Sequence, residues 1–378
     1  MRKILLAVIA VALLGTAAAA QMGAPPAIVD APAAGAQAPG TIVAPLEIYF
    51  IDTEGGQSVL VVSPAIGMYG TRDTLLIDPG NLNPPGRDAE RIIAALKDAG
   101  VPERIDHMIV SHYHGDHVGG AAALADKVTI RRVYDPGAVT PELNANREAG
   151  FLSYLPVRNI LPVTVPRAGQ KIAVAGLDVT VVSVAGELLK TPLAGVRRGS
   201  NSQCNNPMRQ IQDNTPNNAE SIGAVIEFGR FRYLDLADLT WNQEIELVCP
   251  NNLLGTVQVY RTTRHGAQWS GSPALVHSVQ PRVAVMNNNP TKGGVALTFN
   301  TLRTSPGLED VWQLHYSDNP GATNSDDNLI ANHTKDDPGH FVKVTARNDG
   351  SFTVKNGRNG FTKDYPAGGR APVVTSSR

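Results

Sequence analysis

The chain carries little charge of either sign in excess, few aromatics and almost no cysteine. Lys and Arg number 33 against 34 Asp and Glu, a formal net charge of -1. That balance advertises neither a nucleic-acid groove nor an acidic solvating tail. Aromatics are 5% of residues, so the core rests on Val, Ile, Leu and Ala within a 42% apolar total. Only Cys204 and Cys249 are present, and neither stands in a Cys-x-x-Cys pattern. They either pair in an oxidising compartment or remain thiols. No internal repeat occurs, and no long apolar run follows the first twenty residues. Gly (36) and Pro (27) make up about a sixth of the 378 residues, below the roughly 25–30% that marks disorder.

The N-terminus has the order of an export signal. Arg2 and Lys3 precede an apolar run from Ile4 to Leu14, and Ala18-Ala19-Ala20 offers an A-x-A cleavage site. The run is short for a membrane span of about 20 residues, which argues against an uncleaved anchor. Residues 1–20 are therefore read as a signal peptide and 21–45 as an Ala/Pro-rich flexible lead-in. The mature chain is expected to be periplasmic or secreted, without membrane insertion.

Strands are expected at Leu46–Ile51, Ser58–Val62, Thr74–Ile77 and Ile105–Val110, with a helix over Asp88–Ala99. Further strands are expected at Lys171–Val174, Leu177–Val184, Ser221–Phe228, Phe231–Leu236, Val257–Arg261 and Arg282–Met286. Residues 197–218 read as a long loop. Phe341–Thr345 and Ser351–Val354, joined through Asn348-Asp349-Gly350, read as a hairpin.

The strand Ile105–Val110 runs directly into Ser111-His112-Tyr113-His114-Gly115-Asp116-His117, with a helix expected over Val118–Ala125. Four potential ligands, His112, His114, Asp116 and His117, lie within six residues. Imidazole and carboxylate suit Zn²⁺ and related divalent ions. After a strand, His112 and His114 can address one ion and Asp116 and His117 a second. The other histidines (His107, His277, His315, His333, His340) have no ligand-like spacing and read as structural or surface residues.

The run Val110 to Gly120 resembles the signature motif of the metallo-β-lactamase superfamily. Three further segments are similar to the branch that includes the hydrolase domain of ComEC-type DNA-uptake proteins. They are Phe50–Leu60, Leu76–Gly80, and Arg264-His265-Gly266-Ala267 with Gln280–Val285. The resemblance covers about residues 46–290. It implies an α+β, four-layer αββα sandwich at 46–308, followed by a C-terminal β extension over 309–378. It also implies one or two divalent ions, Zn before Mn or Fe, and two later ligands. Asp238 is the expected bridging carboxylate, with Asp235 as the fallback in register, and His265 completes the second ion.

Two departures stand out. No histidine lies between His117 and His265, so the first ion would have His112, His114 and shared Asp238, with solvent, Asn218 or Glu220 added. The second would have Asp116, His117, Asp238 and His265 and should bind more tightly. Lys292-Gly293-Gly294 replaces a Gly-His-Pro segment common in that branch. The implied chemistry is attack by a metal-activated water, with Asp116 as ligand and orienting group. Asp78 either orients a ligand or forms a turn. The substrate is expected to be a phosphodiester; an amide, lactam or lactone is the alternative, and a metal-binding protein without turnover is the third. A small-molecule or phosphodiester substrate is the expected partner, and no stable nucleic-acid partner is indicated.

Overall fold

Residues with apolar side chains on both faces need cover on both sides, and here two sheets provide it for each other. A computed structural model describes residues 42–67, 70–137, 149–196, 199–210, 216–334 and 338–368. The proposed signal peptide and most of the lead-in lie outside the described residues, as do parts of the 197–218 loop. Ile42–Ala44 is already a strand, paired with Ala65–Ile66.

The first sheet runs, in spatial order, through Val163–Thr164, Val133–Tyr134, His107–Ile109, Thr74–Ile77, Val59–Val62 and Leu46–Phe50, then Val342–Ala346, Phe352–Asn356 and Thr362–Tyr365. The second runs Lys171–Ile172, Asp178–Val184, Gly223–Phe228, Phe231–Asp235, Val259–Arg261, Val283–Met286, Asp310–His315 and Ile330–Asn332. Between them lies a core of Ile48, Phe50, Val61, Val181, Ile226, Tyr233, Val285, Trp312 and Val344, among others. Its members alternate along each strand, as a half-buried pleat requires.

Helices cover the two outer faces. Arg87–Asp98, Ala121–Ala125 and Ala149–Ile160 pack on the first sheet through Ile92, Leu96, Leu124, Phe151 and Tyr154. Trp241–Val248, Pro273–Val279 and Ala296–Arg303 pack on the second through Trp241, Ile245, Leu275 and Phe299. The order helix, sheet, sheet, helix is the expected αββα sandwich. Residues after 309 supply strands to both sheets rather than standing apart. Among the described residues no helix is long and apolar enough to cross a membrane.

Cys204 and Cys249 form a disulfide, with Cα atoms 5.5 Å apart. It ties the loop near residue 204 to the end of the Trp241–Val248 helix. Asn201 reinforces the tie by donating to Val248 O and Ser278 Oγ. Trp241 and Trp312 are fully buried core residues, not pocket walls.

Candidate metal centre

The histidine-rich run begins where the His107–Ile109 strand leaves its sheet. Ser111 and His112 are buried, and Gly115–Val118 forms one helical turn that brings His117 inward while His114 and Asp116 stay partly exposed. The expected continuous strand Ile105–Val110 is in fact two. Arg104–Ile105 pairs with Thr129–Ile130, and His107–Ile109 with the main sheet. Asp106 causes the break by turning its carboxylate onto the Thr74 N–H (3.1 Å) and the Arg104 Nε (2.7 Å).

Asp78 sits beneath the run, fully buried with φ 61° at the end of the Thr74–Ile77 strand. It accepts from the Ser111 N–H (2.7 Å) and Ser111 Oγ (2.6 Å), and it lies 2.8 Å from His117 Nδ1. Since the hydroxyl proton of Ser111 goes to Asp78, Ser111 Oγ accepts from His112 Nδ1 at 3.0 Å. Both Nδ1 atoms are thus committed as donors, and both Nε2 atoms face inward. Of the two readings of Asp78, the structure places it as the group that orients His117 and, through Ser111, His112.

From the second sheet come Asp238, just past the Phe231–Asp235 strand, and His265, just past Val259–Arg261. Arg264, His265 and Gly266 are three successive left-handed residues (φ 48°, 58° and 73°). The facing atoms converge. His117 Nε2 is 3.3 Å from His265 Nε2, 3.4 Å from Asp116 Oδ2 and 3.5 Å from Asp238 Oδ1. His265 Nε2 is 3.3 Å from Asp116 Oδ2 and 3.5 Å from Asp238 Oδ2. His112 Nε2 meets His114 Nδ1 at 2.9 Å.

Two overlapping triads result, His112–His117–Asp238 and Asp116–His117–His265, each with its ligand atoms within 4.8 Å of one another. His117 belongs to both. The expected division, with His117 serving the second ion alone, is therefore looser in the structure, and His114 stands at the edge beside His112.

Asp235, the fallback ligand, is turned away. It pairs with the buried Arg261 (2.8 Å) and accepts from Tyr233 Oη (2.7 Å) and the Ala237 N–H (2.9 Å). Arg261 also donates to Ala237 O (2.6 Å) and Asn287 Oδ1 (3.1 Å), which fixes the backbone on which Asp238 is carried.

The electrostatics suit a cation. Burial alone would lower His117, but Asp238, Asp116 and Asp78 around it outweigh burial and hold it up to about 10. Burial, then the neighbouring His117, pushes His112 well below the usual histidine range, so its Nε2 keeps a lone pair. Burial raises Asp116 and Asp238, but the histidines beside them hold both carboxyls well below the usual range. Asp238 Oδ1 is buried and makes no hydrogen bond within the described residues; Asn218 Oδ1 and Ser221 Oγ are the same. A divalent ion would satisfy Asp238 Oδ1 and relieve the proton held on His117. The residues present therefore fit such an ion. The Asn218–Ser221 turn leads into Ile222, whose N–H donates to Ser111 O (2.8 Å), which lays it against the His112 side.

Residues 52–186 match the family described as the Metallo-beta-lactamase superfamily. The chain carries a metallo-β-lactamase superfamily domain. That match and the ligand set support a metal-dependent hydrolase. No curated protein matches the sequence. Among solved structures, YhfI from Bacillus subtilis, a metallo-beta-lactamase fold protein, is 11% identical over 71% of this chain and 96% of its own, with TM-score 0.41. A metallo hydrolase from Ignicoccus hospitalis is 13% identical, covering 80% and 100%, with TM-score 0.40. The diiron β-hydroxylase CmlA from Streptomyces venezuelae is 16% identical, covering 65% and 45%, with TM-score 0.35.

Sequence reasoning missed two features. Lys292 Nζ lies 2.5 Å from Asp116 Oδ2, where only a missing histidine had been noted. His315, read as a structural or surface residue, forms a third, largely buried group with Asp52 (2.7 Å) and Glu54 (3.7 Å), and Arg91 pairs with both carboxylates. His315 lies far in sequence from Asp52, so no local spacing could have revealed the group.

Proposed function

We propose that this metal-dependent hydrolase acts on phosphodiester bonds and works outside the cytoplasm. One observation supports the substrate class. Asp116 from one sheet and Asp238 from the other both face His117 and His265, and the two triads share His117. A pair of divalent ions held there would supply an activated water and a clamp on the attacking and leaving oxygens of an in-line displacement. Asp116, partly open to solvent, is placed to orient the incoming water. Asp78 and Ser111 hold the rings of His117 and His112 in one tautomer while charge shifts.

The resemblance of Phe50–Leu60 and Leu76–Gly80 to the ComEC-type branch points the same way. The disulfide supports an oxidising destination, since cytosolic thiols are kept reduced. The Arg2–Ala20 pattern is of the exported type.

The test combines three readouts on protein recovered from the periplasm or medium. Its N-terminus should begin at Gln21. It should contain bound divalent metal, and it should cleave bis-nitrophenyl phosphate or single-stranded DNA until chelated. Turnover of a chromogenic lactam but neither phosphodiester would replace this reading with the amide and lactone alternative. Bound metal without turnover of any of them would favour a binding role.

A further inference from the structure

We propose that Lys292 is the anion anchor of this centre, the side chain that takes a non-bridging oxygen of the phosphodiester. The choice of phosphodiester rests on the function proposed above; the anchoring of an anion does not.

Lys292 Nζ stands on Asp116 Oδ2 at 2.5 Å, the atom on which His117 and His265 also converge. A divalent ion would claim that oxygen. An ammonium has three donors and no acceptor, so it is repelled by such an ion and needs another anion nearby.

The backbone of Lys292 cannot follow its head group away. Asn289 Oδ1 accepts from the N–H groups of Thr291 (2.8 Å) and Lys292 (2.5 Å), and the Asn289 N–H donates to Lys292 O (3.0 Å). Asn289 Nδ2 in turn donates to Glu54 O (3.1 Å). On the other side, the Gly294 N–H donates to His265 O (3.2 Å) and the Val295 N–H to Gly266 O (3.0 Å). Gly293, at φ 73°, lies so close to His265 O that a Cβ there would collide with it. The loop bearing Lys292 and the turn bearing His265 are thus one unit, and only the lysine side chain is left to move.

Exposure sets its role apart from the ligands. The Lys292 side chain is 42% exposed, against 0% for His117 and 2% for His265. It stands at the open side of the centre, where an arriving substrate passes. A lysine there is a compact point charge suited to a phosphoryl oxygen. A neutral ester or lactam has no anion for it.

The experiment measures binding of inorganic phosphate to metal-loaded protein by calorimetry, for wild type, K292Q and K292R. Metal content and circular dichroism are recorded alongside. K292Q should bind phosphate about tenfold more weakly, the loss of one charge-assisted hydrogen bond, with metal content unchanged and K292R in between. On bis-nitrophenyl phosphate, K292Q should raise KM more than it lowers kcat. Equal phosphate affinity in wild type and K292Q overturns the anchor. Loss of metal in both variants also overturns it, because Lys292 would then serve the metal ligands. Weakened phosphate binding in a protein that cleaves no phosphodiester upholds the anchor and overturns the substrate reading.

Discussion

Asp78 concentrates three hydrogen bonds on one buried carboxylate, and two of the histidines take their orientation from it. Asp78→Asn keeps the size but gives one oxygen an amide N–H₂ in its place. That group cannot accept from His117 Nδ1 or Ser111. Such partners behind a ligand typically matter 10–100-fold for metal affinity, so Asp78→Asn should release metal to a competing chelator at correspondingly lower chelator concentration. Unchanged competition would mean that His117 holds its ring without Asp78. Asp116→Ala removes a ligand atom and the orienting carboxylate together, and should abolish turnover in a stopped assay; full activity in that variant would sink the mechanism. At this scale the sequence was legible where ligands are close in the chain. His112, His114, Asp116 and His117 occupy six residues, and the family resemblance implied Asp238 and His265. It was silent about His117 standing in both triads. That sharing arises because Asp238 and His265 arrive from the opposite sheet, and only three-dimensional packing sets the distances.

The turn at Arg264–Gly266 puts two non-glycine residues in the left-handed region, at a cost of order 1 kcal/mol or more each. Glu244, fully buried on the Trp241–Val248 helix, supports this turn. It accepts from Thr263 Oγ1 (2.5 Å) and from the N–H groups of Gly271 (3.2 Å) and Ser272 (2.6 Å). Burial pushes its carboxyl up from 4.5 to about 7 despite those bonds. The folded state therefore keeps a proton that the unfolded chain gives up. Its contribution is fullest below about pH 4.5 and is lost as pH rises towards 7, on the order of 3 kcal/mol in all. Glu244→Gln stays neutral throughout. The melting temperature of the variant relative to wild type should climb between pH 5 and 8, and a constant difference over that range would refute the titration. Helices of this kind were the least legible elements. Trp241–Val248, Pro273–Val279 and Ala296–Arg303 are seven or eight residues long and pack against the sheet and one another. Their apolar pattern therefore lacks the one-sided stripe that marks Arg87–Asp98. Strands read more easily, because Val-rich runs such as Val59–Val62 and Val283–Met286 are buried on both faces.

Taken whole, the molecule is held together across its two sheets at one edge by the candidate ligands and behind the second sheet by a covalent bond. The disulfide closes a loop of 45 residues, for which the chain-entropy relation gives about 4 kcal/mol. The double variant Cys204→Ala, Cys249→Ala should lose stability of that order in urea unfolding, and wild type should lose the same amount under reductant. A loss confined to the double variant would show that packing at the alanines, not the bond, is responsible. The first sheet has one more consequence. Its middle strand Leu46–Phe50 is paired on one side by Val59–Val62 and on the other by Val342–Ala346. A ribosome delivering this chain leaves that flank open until the late strand has emerged. The first sheet therefore stays incomplete through most of synthesis, and its closure waits on the pairing of Leu46–Phe50 with Val342–Ala346.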